Sequence, residues 1–163
     1  GPLSRPELAA HAAALKGSLP EGGRHAVSLE IGAWTTTAAG KLESGFLLTV
    51  DYGKRFAPDA PNPPRAFRRH AIETELTREP GGRDLTASVD FEAMISAGRA
   101  AGLSLESYES LSKFLIDGGI GAWLESAAGD DAASYSQRAK LKTLVHPEGM
   151  GEAFKVLIQR KDA

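Results

Sequence analysis

Three clusters carry the side chains with chemical potential. Val50-Asp51-Tyr52-Gly53 places a carboxylate, a phenol and a flexible glycine at the end of an apolar run. Open α/β sheets bind ligands outside the carboxyl ends of their strands, so a site built on such a run would sit here. The same residues equally suit a strand that ends in a turn, with Asp51 accepting backbone N–H groups. Arg65-Ala66-Phe67-Arg68-Arg69-His70 gathers three guanidinium groups, an aromatic ring and an imidazole. In an extended chain Phe67 and Arg69 project to one side and Arg68 and His70 to the other, so one face could grip a carboxylate, phosphate or carbonyl array. A solvated basic hairpin is the plainer alternative. Asp84-Leu85-Thr86-Ala87-Ser88-Val89-Asp90 brings two carboxylates close in sequence with hydroxyls between them. A general base or an amine-binding anion could be drawn from these. Asp90 also suits the N-cap of a following helix, whereas Asp84 beside Gly81-Gly82 stays open.

The remaining inventory excludes more than it offers. With no cysteine among 163 residues, a disulfide framework, a thiolate zinc site, an iron-sulfur cluster and a cysteine nucleophile are ruled out. His11, His25, His70 and His146 show no metal-ligand spacing. A dinucleotide-binding glycine fingerprint, a phosphate loop and a serine nucleophile elbow are all missing from the sequence. Apolar residues make up 42% and charged residues 25%, with a formal charge of −2, which suits a single globular core and argues against nucleic-acid binding. No apolar run approaches the roughly 20 residues of a membrane-spanning helix, and the first thirty residues lack a secretory layout. A soluble protein without a membrane partner is expected, cytoplasmic in location, or mitochondrial in a eukaryote. Gly1-Pro2-Leu3-Ser4 fits a tag scar or native chain, and the lack of an initiator methionine favours an excerpt.

These clusters need elements to hold them. Arg5 to Lys16 reads as a short helix, and Ser28 to Glu43 as an amphipathic one with Ser28 at its N-cap. The apolar run from Gly45 to Asp51 reads as a strand inside a parallel sheet covered on both faces. From Lys54 to Arg83, Pro58, Pro61, Pro63, Pro64 and Pro80 predict a long excursion, which carries a local charge of +3. Asp90 then caps a helix from Phe91 to Ala101. A short strand over Leu103 to Ser107 follows, with helical turns at Leu111 to Leu115 and a helix from Ile120 to near Gly129. Asp130-Asp131 heads a polar helix ending near Leu144, and Ala153 to Arg160 forms a last strand. The succession is α/β, although only three strands stand out.

The blocks Phe46-Leu47-Leu48-Thr49-Val50-Asp51-Tyr52-Gly53, Arg65-Ala66-Phe67-Arg68-Arg69-His70, Pro80 to Phe91 and Met150 to Leu157 resemble, in order and spacing, the C-terminal half of the MidA-like S-adenosylmethionine-dependent methyltransferases. That family includes the mitochondrial complex I assembly methyltransferase, which modifies an arginine. The resemblance runs along nearly the whole chain. Ser88 departs from it where many relatives have histidine, and Pro63-Pro64 replaces a common Thr-Leu.

The resemblance implies a partial Rossmann-like class I methyltransferase fold, with residues 1–163 as its C-terminal portion and 54–90 as a substrate-side insertion. It implies S-adenosylmethionine as cofactor of the intact parent, held by segments upstream of Gly1, so that these residues alone bind none and are inactive. The acceptor would be a protein arginine. Asp51, Tyr52 and Asp84 are the candidate catalytic residues, and Arg65, Arg68, Arg69 and His70 the candidates for gripping an acidic stretch of the substrate. A noncatalytic interaction or assembly module is the rival reading. An apolar strand deprived of a sheet neighbour further predicts self-association.

Overall fold

The computed structural model describes residues 3–69, 71–126 and 129–163. Two helices open the chain, α1 (Leu8–Ala14) and α2 (Ile31–Gly40). Strand β1 (Gly45–Lys54) follows, then four short strands: β2 (Arg65–Arg68), β3 (Ala71–Glu73), β4 (Asp84–Thr86) and β5 (Val89–Asp90). The rest comprises α3 (Phe91–Ala100), β6 (Ser104–Ser110), α4 (Leu111–Asp117), α5 (Ile120–Ser126), α6 (Ala132–Val145), α7 (Met150–Ala153) and β7 (Phe154–Lys161). The fold is mixed α/β, in agreement with a partial class I methyltransferase architecture.

The main sheet has the order β5-β1-β7-β6. β1 runs antiparallel to β7 from Gly45 opposite Lys161 to Tyr52 opposite Phe154, and parallel to β5 only at Gly53 and Lys54. One face of this sheet packs on α3, where Phe91, Met94, Ile95 and Leu157 form the core and the Tyr108 ring lies 5.4 Å from that of Phe91. Each side chain of this size, once buried, contributes about 1.5–3 kcal/mol. Asp90 Oδ1 accepts from the backbone N–H groups of Glu92 and Ala93 at 3.0 and 3.2 Å, so the expected cap is present and fixes where α3 starts. Lys161 Nζ donates to the carbonyls of Ala39 and Leu42, which ties the end of β7 to the C-terminal turn of α2, where a cation is favoured. Gln159 is also buried on this face, and its side-chain amide fills the space beside Gly98 of α3 that a Cβ there would take.

The expectation of a strand covered on both faces is corrected. Burial alternates along β1, and Phe46, Leu48 and Val50 remain 61%, 50% and 42% exposed on the face opposite α3. Its long partner is antiparallel, so the parallel setting is confined to two residues. Nor does Ser28 cap α2, whose N-cap position is Glu30 and lacks a side-chain bond.

The excursion holds a sheet of its own, order β3-β2-β4, fully antiparallel. Pro58, Pro61, Pro63 and Pro64 precede β2 and Pro80 lies between β3 and β4, so no proline interrupts a ladder. Arg83 holds the unit together. Its side chain is 3% exposed, lies 3.0 Å from the Glu73 carboxylate and donates to the Glu75 carbonyl.

Candidate functional site

At the carboxyl end of β1 the chain folds around a cavity of about 690 Å³. Four segments wall it: the face of α1 bearing Ala10, His11 and Ala14, the stretch 25–31, the Pro-rich stretch 56–62, and residues 87–96 running from β5 into α3. Alanine, valine, isoleucine and phenylalanine make up just over half of the lining, and most of the rest is polar. This mixture is what small-ligand and side-chain pockets use for shape and for orientation.

Asn62 organises the polar part. It is buried, and four of its groups reach other walls. Its side-chain Nδ2 donates to the Ser88 carbonyl at 2.8 Å, and its Oδ1 accepts from the Ser88 N–H at 3.3 Å. Its backbone N–H donates to His25 Nδ1 at 2.9 Å, while its carbonyl accepts from the Ala26 N–H at 2.8 Å. Three segments far apart in sequence are thereby latched at one residue. The flanking Pro61 and Pro63 keep the backbone extended there and remove competing donors.

Because Nδ1 of His25 accepts, the neutral ring carries its proton on Nε2, the polar atom left to serve the cavity. Burial, reinforced by the charge of nearby His11, pushes this imidazole below its ordinary value near 6.5, against an opposing pull from Asp90. The unfolded chain therefore binds the proton more readily than the folded one. Stability from this group is complete above the unfolded value and falls as pH drops through the lower folded value. Urea midpoints measured between about pH 7.5 and 5.5 should decline toward acid, and His25→Phe should flatten part of that slope. Identical slopes for the two proteins would remove His25 from the latch.

The cavity's carboxylates are already committed. Asp90 caps α3, and Glu92 pairs with Arg55 Nε at 2.6 Å.

Asp51, Tyr52, Arg65, Arg68, Arg69 and Asp84 lie outside the lining of this cavity, whereas Ala87, Ser88, Val89 and Asp90 of the third cluster belong to it. Asp51 lies within β1, opposite Lys155, and not in the turn its sequence also suited; its Oδ1 accepts from the backbone N–H of Tyr52 at 2.7 Å. Tyr52 packs edge-on against Phe154, with ring centroids 5.9 Å apart, and the Arg65 guanidinium sits 5.7 Å from its centroid. Tyr52 and Arg65 are thus brought together. Arg68 pairs with Glu79 at 3.1 Å, and Arg69 occupies an exposed turn with φ +50. Asp84 is exposed on β4, opposite Phe67. His70 lies outside the described residues. The link between the clusters and the cavity is the Gly53–Val89 pair, since Val89 lines the cavity and Gly53 follows Tyr52.

His25 and Asn62 are the residues that sequence reasoning missed. A lone asparagine among prolines carries no periodic signal, and its partners are 37 and 26 positions away.

Comparison with known proteins gives this geometry a family. Curated proteins yield no match. Two solved structures from Burkholderia thailandensis match the whole chain. The first, an uncharacterized protein, has 28% identity and a TM-score of 0.83, with 45% of its own length covered. The second, described as a "likely methyl transferase" bound to S-adenosyl-homocysteine, has 28% identity and a TM-score of 0.82, with 44% covered. The chain therefore spans under half the length of either. Residues 1–109 match the family described as "Putative S-adenosyl-L-methionine-dependent methyltransferase", a stretch that contains every residue lining the cavity. With two thirds of its length inside that match, the chain belongs to this methyltransferase family.

Proposed function

We propose that these residues form the acceptor side of an S-adenosylmethionine-dependent methyltransferase whose acceptor is a protein arginine. The carrying observation is the family match across the whole wall of the cavity, supported by a solved neighbour that holds S-adenosyl-homocysteine.

Within this reading the cavity does not itself seat the donor. Close approach of backbone to a ligand favours glycine, and no glycine lines the cavity. What these residues supply is a desolvated, shaped entrance that orients the acceptor, which is the larger need when a methyl group moves between aligned partners.

Asp51, Tyr52 and Asp84 are the groups proposed to hold the acceptor guanidinium. The guanidinium of Arg65 on the Tyr52 ring supports this, because the ring already accepts a planar cation at its face. Arg65, Arg68, Arg69 and His70 would grip acidic residues flanking the acceptor. The exposed Arg68–Glu79 pair is of the kind worth at most about 1 kcal/mol, so a substrate carboxylate can replace Glu79 cheaply.

The test uses the protein as its gene encodes it, incubated with methyl-tritiated S-adenosylmethionine and an extract of unmethylated cellular protein. Acid hydrolysis and chromatography should place the label in methylarginine. Label in another residue would discard arginine as acceptor, and no transfer above a heat-treated control would favour the noncatalytic assembly module.

A further inference from the structure

The cavity discriminates by charge. Among the described residues that line it there is no lysine or arginine, so an anion would enter without a fixed counter-ion. Its two carboxylates have their charges offset, Asp90 by the amide end of α3 and Glu92 by the Arg55 guanidinium at 2.6 Å. An uncharged occupant suits this field best.

The polar groups that remain are set to meet a carbonyl. His25 Nδ1 accepts from the Asn62 N–H at 2.9 Å, which makes Nε2 of the neutral ring a donor. Burial favours that neutral ring. A fixed donor in a pocket more than half apolar rewards an uncharged oxygen acceptor, and a peptide carbonyl is the acceptor that every residue of a protein substrate carries. Beside it, Ile31, Phe56, Val89 and Ala93 offer apolar surface to a side chain.

The ring proposed to receive the acceptor guanidinium is close by. Tyr52 is one residue step along β1 from Gly53, about 3.4 Å, and Gly53 is one inter-strand step from Val89, about 4.8 Å, which places Tyr52 about 6 Å from the cavity wall. In an extended peptide, residues two apart are separated by about 7 Å and project to the same side. A chain that lays its arginine on the Tyr52 ring therefore brings its second neighbour to the cavity.

We propose that the cavity is a specificity pocket for the acceptor protein: it takes an uncharged apolar side chain two positions from the methylated arginine, while Nε2–H of His25 donates to the backbone carbonyl of that residue. This rests on the arginine methyltransferase reading above, and deepens it by naming the kind of sequence that surrounds the acceptor.

The test uses the protein as its gene encodes it and four acetylated, amidated peptides of the form Gly-X-Gly-Arg-Gly-X-Gly, in which X is leucine, alanine, glutamate or lysine. Titrations followed by calorimetry should show the leucine peptide held at least about tenfold tighter than each of the others. Ala93→Leu, which adds volume to one wall, should remove that preference, and Ser96→Leu serves if the first variant fails to fold by circular dichroism. Ala139→Leu, an exposed change on α6 outside the lining, should preserve it. Two substitutions separate the donor from the latch. His25→Asn keeps an acceptor where Nδ1 stands and has no donor where Nε2 stands, so amide exchange at Asn62 should stay slow while the leucine peptide binds about fivefold more weakly. His25→Gln does the reverse, with faster exchange at Asn62 and a smaller loss of binding.

Equal affinity for the four peptides, no binding of the leucine peptide at millimolar concentration, a leucine preference that survives both pocket-filling variants, or full binding by His25→Asn would each overturn the proposal. Tighter binding of the glutamate or lysine peptide would overturn it too, by assigning the cavity to a charged occupant. Calorimetry reads binding without transfer. A leucine peptide held with the expected preference while methyl-tritiated S-adenosylmethionine labels no arginine would remove the functional reading and leave the pocket standing, whereas equal binding and equal labelling of all four peptides would do the opposite.

Discussion

Gly53→Ala should unfold at a markedly lower urea concentration than the parent protein. Gly53 faces Val89 where β1 and β5 run parallel, and a Cβ there would collide with the Val89 carbonyl oxygen. The same atom would stand 2.9 Å from the Val89 nitrogen and 3.0 Å from its carbonyl carbon. All three obstacles are backbone, so no rotamer change can relieve them. Inserting a methyl group into a packed site costs about 1–3 kcal/mol, and the upper part of that range applies where only the strands can give way. Separating β1 from β5 also moves Asp90, and with it the cap of α3 and one wall of the cavity. Gly32→Ala is the matched control. It lies in α2 with nothing near the new Cβ, and should raise the midpoint through a gain of up to about 1 kcal/mol in helix propensity. Equal midpoints for Gly53→Ala and the parent, with an unchanged denaturant slope, would mean that the close strand approach does not matter to stability.

Local chemistry was the legible part of this chain. Asp90 announces the start of α3 because a cap needs only the next three residues, and Asp131 does the same for α6 by accepting from the Ser134 N–H at 2.8 Å. β1 and β7 are readable as strands from their apolar runs, and the resemblance of separated blocks to a methyltransferase family agrees with the family match. Pairing is another matter. That β1 lies between β5 and β7 depends on residues 36 and about a hundred positions away, and nothing within Gly45–Lys54 states it. The apolar run suggested burial on both faces, yet an unbroken row of leucines and valines reads the same whether its second face is covered by this chain or left open to another.

The excursion was hidden by shortness. β2, β3 and β4 are three or four residues long, too brief for alternation to register, and their prolines draw attention to the connections. β3 is tied to the start of β4 by an ion pair between Glu73 and the buried Arg83, which looks in sequence like one more member of a basic patch. The cavity was hidden for the opposite reason. Its latch joins positions 25, 62 and 88, and only folding shows that the asparagine between prolines is the residue they share.

Asn62→Ala tests whether that latch shapes the cavity. The substitution removes one donor and one acceptor, leaving the Ser88 N–H and carbonyl without their partners in a half-buried wall. A buried polar group left unpaired costs about 1–3 kcal/mol, and water can reach part of this wall, so a total of about 2–3 kcal/mol is expected. The backbone bonds from Asn62 to His25 and from Ala26 to Asn62 do not need the side chain and should persist. The loss should thus fall on the 62–88 contact, with faster amide exchange at Ser88 than at Ala26. Asn62→Asp sharpens the distinction. It keeps the acceptor for the Ser88 N–H but replaces the donor with an anion facing the Ser88 carbonyl, so it should be at least as destabilising as alanine at neutral pH and recover in acid as the carboxyl protonates. A stability loss near zero for alanine, or an aspartate variant indifferent to pH, would show that the segments around the cavity are held by their backbone bonds and apolar contacts alone.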